Sequence, residues 1–169
     1  IIGITGKKRS GKDAFAFALM KYLKGKRQRI AFADPLKVEC ANALGVTLDY
    51  LEDHKPLFRP LLQWWGTEWR REHHGLDYWL RRMDERIAAT DTDFILVPDV
   101  RFKNEADFVK RHEGFMIRVL RPMESTDSHA SENDMDGHPV DFCVDNFDTL
   151  ATLDVQARVM ALYFNTLPK

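Results

Sequence analysis

The sequence predicts an α/β fold in which a parallel sheet is doubly wound, with helices on both faces. Three observations carry the prediction: short, continuously apolar runs of strand length, amphipathic segments between them, and a glycine-rich turn joining the first run to the first helix. A parallel strand is covered on both faces, so it reads as an unbroken apolar run rather than an alternating one. At 169 residues and 44% hydrophobic content the chain suits one domain with a sizeable core.

Ile1 to Thr5 is the first strand, and Asp13 to about Lys24 the first helix. Arg29-Ile30-Ala31-Phe32-Ala33 reads as a second strand closed by Asp34-Pro35, and Leu36 to Leu44 as a helix ending at Gly45. Phe94 to Asp99 is a third strand, and Asn104 to His112 a short helix closed by Gly114. Phe115 to Leu120 makes a fourth strand, and Phe142-Cys143-Val144 a short fifth between Asp141 and Asp145. Leu150, Leu153, Ala157, Met160, Ala161 and Phe164 recur at helical spacing and predict a last amphipathic helix. Two stretches break the alternation. Residues 46–90 read as a helical insertion, and 122–139 as a polar loop of the kind that forms lids.

Composition narrows the function. A formal net charge of -1 gives no field to draw nucleic acid or an anionic membrane, so any phosphate affinity must be local. Cys40 and Cys143 are too few and too distant for a disulfide framework and fit a reducing cytoplasm. No apolar run approaches a membrane span, and no leader opens the chain. The first residue is Ile rather than Met, so native residues are expected to precede it.

The local phosphate site is the turn Gly6-Lys7-Lys8-Arg9-Ser10-Gly11-Lys12, between the first strand and first helix. Its two glycines and lysine have the spacing of a P-loop, in which backbone N–H groups and a helix N-terminus cradle phosphate. The Ser or Thr that usually holds Mg²⁺ next is replaced by Asp13, with Ala14 after it. Asp99, at the third strand's end, stands where a second carboxylate would approach the metal, and Arg101 follows two residues later. Arg118 and Arg121 flank the fourth strand's end, where arginines could neutralise a phosphoryl group in transfer.

On a helix starting near Pro60, Phe58, Leu62, Trp65 and Trp69 form an apolar stripe, and Arg59, Gln63, Gly66 and Arg70 a polar one beside it. Two arginines, an amide and a glycine gap suit an anionic, planar ligand such as a nucleoside monophosphate, although a solvated helix face has the same pattern. His129-Ala130-Ser131-Glu132 lacks the nucleophile elbow of a hydrolase triad. The six histidines show no zinc spacing.

Six blocks then resemble the bacteriophage deoxynucleoside monophosphate kinases, which have the P-loop NTPase fold. They are Gly6–Asp13, Phe32–Lys37, the region of Arg59, Gln63–Glu68 and Arg70, Asp99–Ala106, His129–Glu132, and Asp145-Asn146. The resemblance implies a five-stranded parallel sheet, a helical nucleotide-binding insertion, and a lid. It implies phosphorylation of deoxynucleoside 5'-monophosphates by ATP with Mg²⁺, for DNA precursor synthesis, in the host cytoplasm if the chain is phage-encoded. Gly6, Lys8, Arg9, Ser10, Gly11, Lys12 and Asp13 would hold ATP, and Asp13 and Asp99 the metal. Asp34, Lys37, Arg59, Gln63, Trp65, Gly66, Arg70 and Glu132 would bind the acceptor, and Lys12, Arg101, Arg118 and Arg121 would act on the transferring group.

The P-loop also resembles that of animal-type phosphomevalonate kinases, which makes that activity the alternative; a nucleotide-hydrolysing switch is a further one, although no guanine-recognition motif is present. Base preference, ribose rejection and pairing with a second copy stay open.

Overall fold

The computed structural model describes residues 1–122 and 129–168. Its elements, in chain order, are β1 (Ile2–Thr5), α1 (Lys12–Tyr22), β2 (Arg27–Arg29), α2 (Ala33–Leu44), α3 (Leu48–Asp53) and α4 (Lys55–Trp64). A π-helical turn (Trp65–Arg71) leads into α5 (Glu72–His74) and α6 (Tyr78–Ala88). There follow β3 (Phe94–Val97), α7 (Lys103–Arg111), β4 (Phe115–Leu120), α8 (Ala130–Asn133), β5 (Phe142–Asp145) and α9 (Leu150–Phe164). The chain divides into two compact units, Ile1–Ile30 with Ala89–Lys169, and Ala31–Ala88.

The first unit holds a five-stranded parallel sheet in the order β2-β3-β1-β4-β5. Alternation along β1 decides what each face meets. Ile2 and Ile4 join Phe15 and Leu19 of α1 and Leu153, Ala157 and Phe164 of α9 in one core. Gly3 looks to the other face, where a Cβ would strike Met116 and press on Val109 of α7. Helices therefore cover both sheet faces, and with the glycine loop after β1 this is a P-loop α/β fold. Thr5 lies beside Arg118 and Leu120 beside Asp145, so β4 and β5 end together and β1 ends two residues short of them on the same side. In such sheets ligands bind at the strands' C-terminal ends.

The second strand lies two residues earlier than its apolar run suggested. Arg27, Gln28 and Arg29 pair with Phe94, Ile95 and Leu96, while Ile30, Ala31 and Phe32 are buried in the link to α2. Asp34 accepts a hydrogen bond from the Ala31 N–H at 3.0 Å and so starts the helix early. A charged β2 suits its place, because lysines and arginines on an edge strand discourage pairing with other chains.

The second unit is all helical and begins upstream of the 46–90 insertion, because α2 belongs to it. Cys40, Ala41 and Leu51 form its buried centre, with Leu36, Phe58, Leu62 and Trp65 against them. The expected helix start at Pro60 is corrected: α4 begins at Lys55, Pro56 takes the first turn, and Pro60 lies inside. The apolar stripe also ends sooner. Residues five apart share a face of a π-helical turn, so Trp69 leaves the Phe58-Leu62-Trp65 line, is 38% exposed, and stacks on Trp64 at 6.0 Å.

Candidate active site

Between β1 and α1 the backbone of Gly6 to Gly11 wraps into a closed loop. Gly6 has φ 147° and Gly11 φ 98°. A Cβ on Gly6 would lie 2.5 Å from the Val119 carbonyl, and one on Gly11 would collide with the Asn146 amide nitrogen. Both positions therefore admit only glycine. Arg9 is held at φ 63°, an αL conformation that costs a non-glycine residue about 1–2 kcal/mol. Its side chain is exposed, and that of Lys8 is half-buried.

Lys12 is 9% exposed and folds back over the loop, its Nζ donating to the carbonyls of Gly6 at 2.6 Å and Lys7 at 2.8 Å. The Ser10 hydroxyl is buried and has no hydrogen-bond partner among the described residues. A cradle too tight for side chains, a buried ammonium and an unsatisfied hydroxyl fit a bound phosphate chain.

Beside the loop lies a cleft of about 210 Å³ lined by Ser10, Arg101, Arg118, Arg121 and residues 135–137 among others. Arg118 donates through one Nη to the carbonyls of Met135 and His138, both at 2.8 Å. Lys7 meets the Asp136 carboxylate at 2.7 Å and Asn133 Oδ1 at 3.0 Å. These contacts tie residues 133–138 to the loop and the end of β4. Arg121 reaches the Arg9 carbonyl only at 3.5 Å. The backbone N–H of Arg101 donates to Glu105, which caps α7.

Asp13 is exposed in the first turn of α1, and Asp99 is half-buried in the turn after β3. Among the described residues no three His, Cys, Asp or Glu side chains form a metal cluster. Oxygen donors of this kind still suit Mg²⁺, which keeps several waters and enters on substrate phosphates with one or two carboxylates.

Part of the expected lid, residues 123–128, and the Glu132 side chain lie outside the described residues. His129 and Ser131 have a structural task. The His129 Nδ1 accepts the Ser131 N–H and caps α8.

In the helical unit the expected acceptor residues separate into two groups. Glu39 of α2 gathers Trp65 Nε1 at 3.1 Å, Arg70 Nε at 2.8 Å and Tyr78 OH at 2.6 Å. Trp65 and Arg70 are five apart, and the π turn brings them to one carboxylate. Burial alone would raise the Glu39 pKa, but these three hydrogen bonds and the Arg70 charge outweigh it and hold the carboxyl below its usual range. Lys37 pairs with Glu52, and Asp34 with Arg86 at 2.9 Å. The space beside Gly66 is filled by Leu36, and its carbonyl accepts from Trp79.

Arg59 and Gln63 are different. Both are half-buried on adjacent turns of α4, and neither side chain has a hydrogen-bond or ion-pair partner among the described residues. A half-buried, unmatched guanidinium next to an unmatched amide is an arrangement that an anionic ligand would complete. Glu39 and Asn146 are among the residues sequence reasoning did not assign to the site, as are Lys7 and Asp136; Asn146 stood in a quoted motif, whereas Glu39 carried no local signal.

A glycine loop shaped for phosphate at the strands' C-terminal ends, with arginines around the adjoining cleft, suits a kinase acting on a small molecule or nucleotide. Residues 4–115 match the family model described as phosphomevalonate kinase, and the chain belongs to that family. It is 30% identical over 159 residues to the protein of Acanthamoeba polyphaga mimivirus named "Putative deoxynucleotide monophosphate kinase", covering 78% of this chain and 80% of the relative. It is 31% identical over 118 residues to phosphomevalonate kinase of Drosophila melanogaster, covering 68% of this chain and 61% of that protein's length. The crystal structure of shikimate kinase from Aquifex aeolicus aligns over 99% of both chains with a TM-score of 0.48 at 14% identity. No helix among the described residues is long and apolar enough to cross a membrane.

Proposed function

We propose that the protein transfers the γ-phosphoryl group of ATP to a deoxynucleoside 5'-monophosphate, as a step in making DNA precursors. One observation favours this acceptor over phosphomevalonate. Phosphomevalonate carries a carboxylate as well as a phosphate, and calls for several unneutralised cations. In the helical unit Lys37, Arg70 and Arg86 are each neutralised by a carboxylate, and acidic side chains outnumber basic ones over residues 31–88. Arg59 with Gln63 suits one phosphate and the edge of a base.

On this reading the first unit carries the donor. The N–H groups of the Gly6–Gly11 loop and Lys12 hold the ATP phosphates, with Lys12 exchanging its loop carbonyls for phosphate oxygens. Mg²⁺ would be held by the phosphates with Asp13 and Asp99 and would neutralise the β- and γ-oxygens. An acceptor phosphate oxygen attacks the γ-phosphorus while its bond to the β-bridging oxygen breaks, leaving ADP. The acceptor needs no base, so alignment and charge do the catalysis. Arg101, Arg118 and Arg121 supply that charge, and residues 122–139 serve as the lid that excludes water.

A coupled ADP-release assay across deoxy- and ribonucleoside monophosphates and phosphomevalonate tests the proposal. Turnover with one or more deoxynucleotides is expected. Turnover confined to phosphomevalonate would replace this acceptor with the alternative, and acceptor-independent hydrolysis exceeding transfer would point to a nucleotide switch.

A further inference from the structure

The phosphate loop is held from outside by a residue far away in sequence. Asn146 follows β5 and is 7% exposed. Its backbone N–H donates to the Leu120 carbonyl at 2.7 Å, which extends the β4–β5 pairing by one step. Its side-chain Nδ2 donates to the Ser10 carbonyl at 2.8 Å, in a buried hydrogen bond. The loop backbone packs so closely on this amide that any Cβ at Gly11 would displace it.

The consequence follows from peptide geometry. In a trans peptide the C=O and the next N–H point in opposite directions. Holding the Ser10 carbonyl toward Asn146 therefore turns the Gly11 N–H away from Asn146, toward the inside of the loop. The same loop contains Arg9 in a strained conformation, and such strain persists only where its surroundings impose it. A short glycine-rich loop without an external anchor would sample other peptide orientations, and fixed donors are what make a phosphate site effective.

We infer that Asn146 is a positioning residue for the donor nucleotide: it fixes the Ser10–Gly11 peptide so that the loop's N–H groups are aimed at the phosphates before ATP arrives. The inference rests on the assignment of the first unit to ATP and does not depend on which acceptor is used.

Asn146→Asp tests it with almost no change of shape, because the carboxylate cannot donate and would face the Ser10 carbonyl with its own oxygen. Asn146→Ala removes the group altogether. The measurements are steady-state kinetics with ATP and acceptor varied separately, equilibrium binding of ADP, and thermal unfolding. Both variants should raise the KM for ATP and the ADP dissociation constant at least tenfold and lower kcat. The acceptor KM should stay within about twofold. Lower thermal stability with unchanged ADP binding, equal losses for both substrates, or failure of both variants to fold would make Asn146 merely structural and overturn the inference. A wild-type protein that binds no ADP would instead overturn the ATP assignment beneath it.

Discussion

Arg59→Ala and Arg70→Ala separate two roles that one helical stripe assigned alike. Arg59 is half-buried without a partner among the described residues, so in the free protein its charge is uncommitted. If it grips the acceptor phosphate, its removal forfeits a charge-assisted contact of roughly 1.5–3 kcal/mol. At about 1.4 kcal/mol per factor of ten, the acceptor KM should rise about 10- to 150-fold. The KM for ATP should stay near its starting value, and the melting temperature should move little, because no hydrogen bond or ion pair is lost. Arg70 should behave the other way. Its Nε pairs with Glu39, the two side chains being 22% and 21% exposed, and its guanidinium lies 5.0 Å from the Tyr78 ring. That pair lies between the exposed and buried limits, so its loss should cost about 1–2 kcal/mol of stability. For a chain of this size that is a fall in Tm of about 2–8 °C. The acceptor KM should change less than in Arg59→Ala. ADP-release kinetics and a thermal melt on both variants are sufficient. An unchanged acceptor KM in Arg59→Ala, or an Arg70→Ala variant of full stability with the larger KM effect, would refute the division.

Lys12→Ala should leave the circular dichroism spectrum intact and reduce kcat by about 10²- to 10³-fold, as loss of a group acting on developing charge does; near-wild-type turnover would remove Lys12 from the chemistry. Stability should depend on acid through Glu39 and Asp141. Burial raises each pKa, yet for Asp141 the Met116 N–H and Lys110 outweigh it, as the Tyr78, Trp65 and Arg70 contacts do for Glu39, and both folded values fall below the ordinary ones. Their contribution is therefore complete above about pH 4.5 and lost as the pH falls through the depressed values. Melting temperatures should fall steeply below about pH 4, less so in Glu39→Gln, and equal slopes in both proteins would count against Glu39. Burial pushes the Cys40 thiol up to about 11, whereas Cys143 is exposed. A thiol reagent at neutral pH should thus label Cys143 in the native protein and Cys40 only after unfolding, and rapid labelling of Cys40 would contradict its burial. Amide exchange over residues 129–138 should slow when a bisubstrate analogue binds; the same rate in both states would defeat the lid reading.

The strands β1, β3 and β4, the glycine loop and the last helix could be read in the sequence because each depends on neighbours within a few residues. A continuous apolar run is buried on both faces wherever it lies, and two glycines with four residues between them, before a lysine, bend the backbone by their own conformational freedom. That Arg59 and Gln63 share one face of a helix was legible for the same reason, since i, i+4 spacing is local. Tertiary structure decided the rest. The register of β2 followed its hydrogen bonds to β3 rather than its most apolar residues. The π turn that moved Trp69 off its stripe sits where Trp65 and Arg70 meet Glu39, a contact spanning 31 positions for Arg70. Which cations are neutralised, Lys37 by Glu52, Arg70 by Glu39 and Arg86 by Asp34, depends on approaches that no local pattern encodes. The hold of Asn146 on Ser10 spans 136 positions. Spacing along a chain specifies which residues share a face of one element; whether a charge on that face meets a carboxylate or stays open to a ligand depends on which other elements pack beside it.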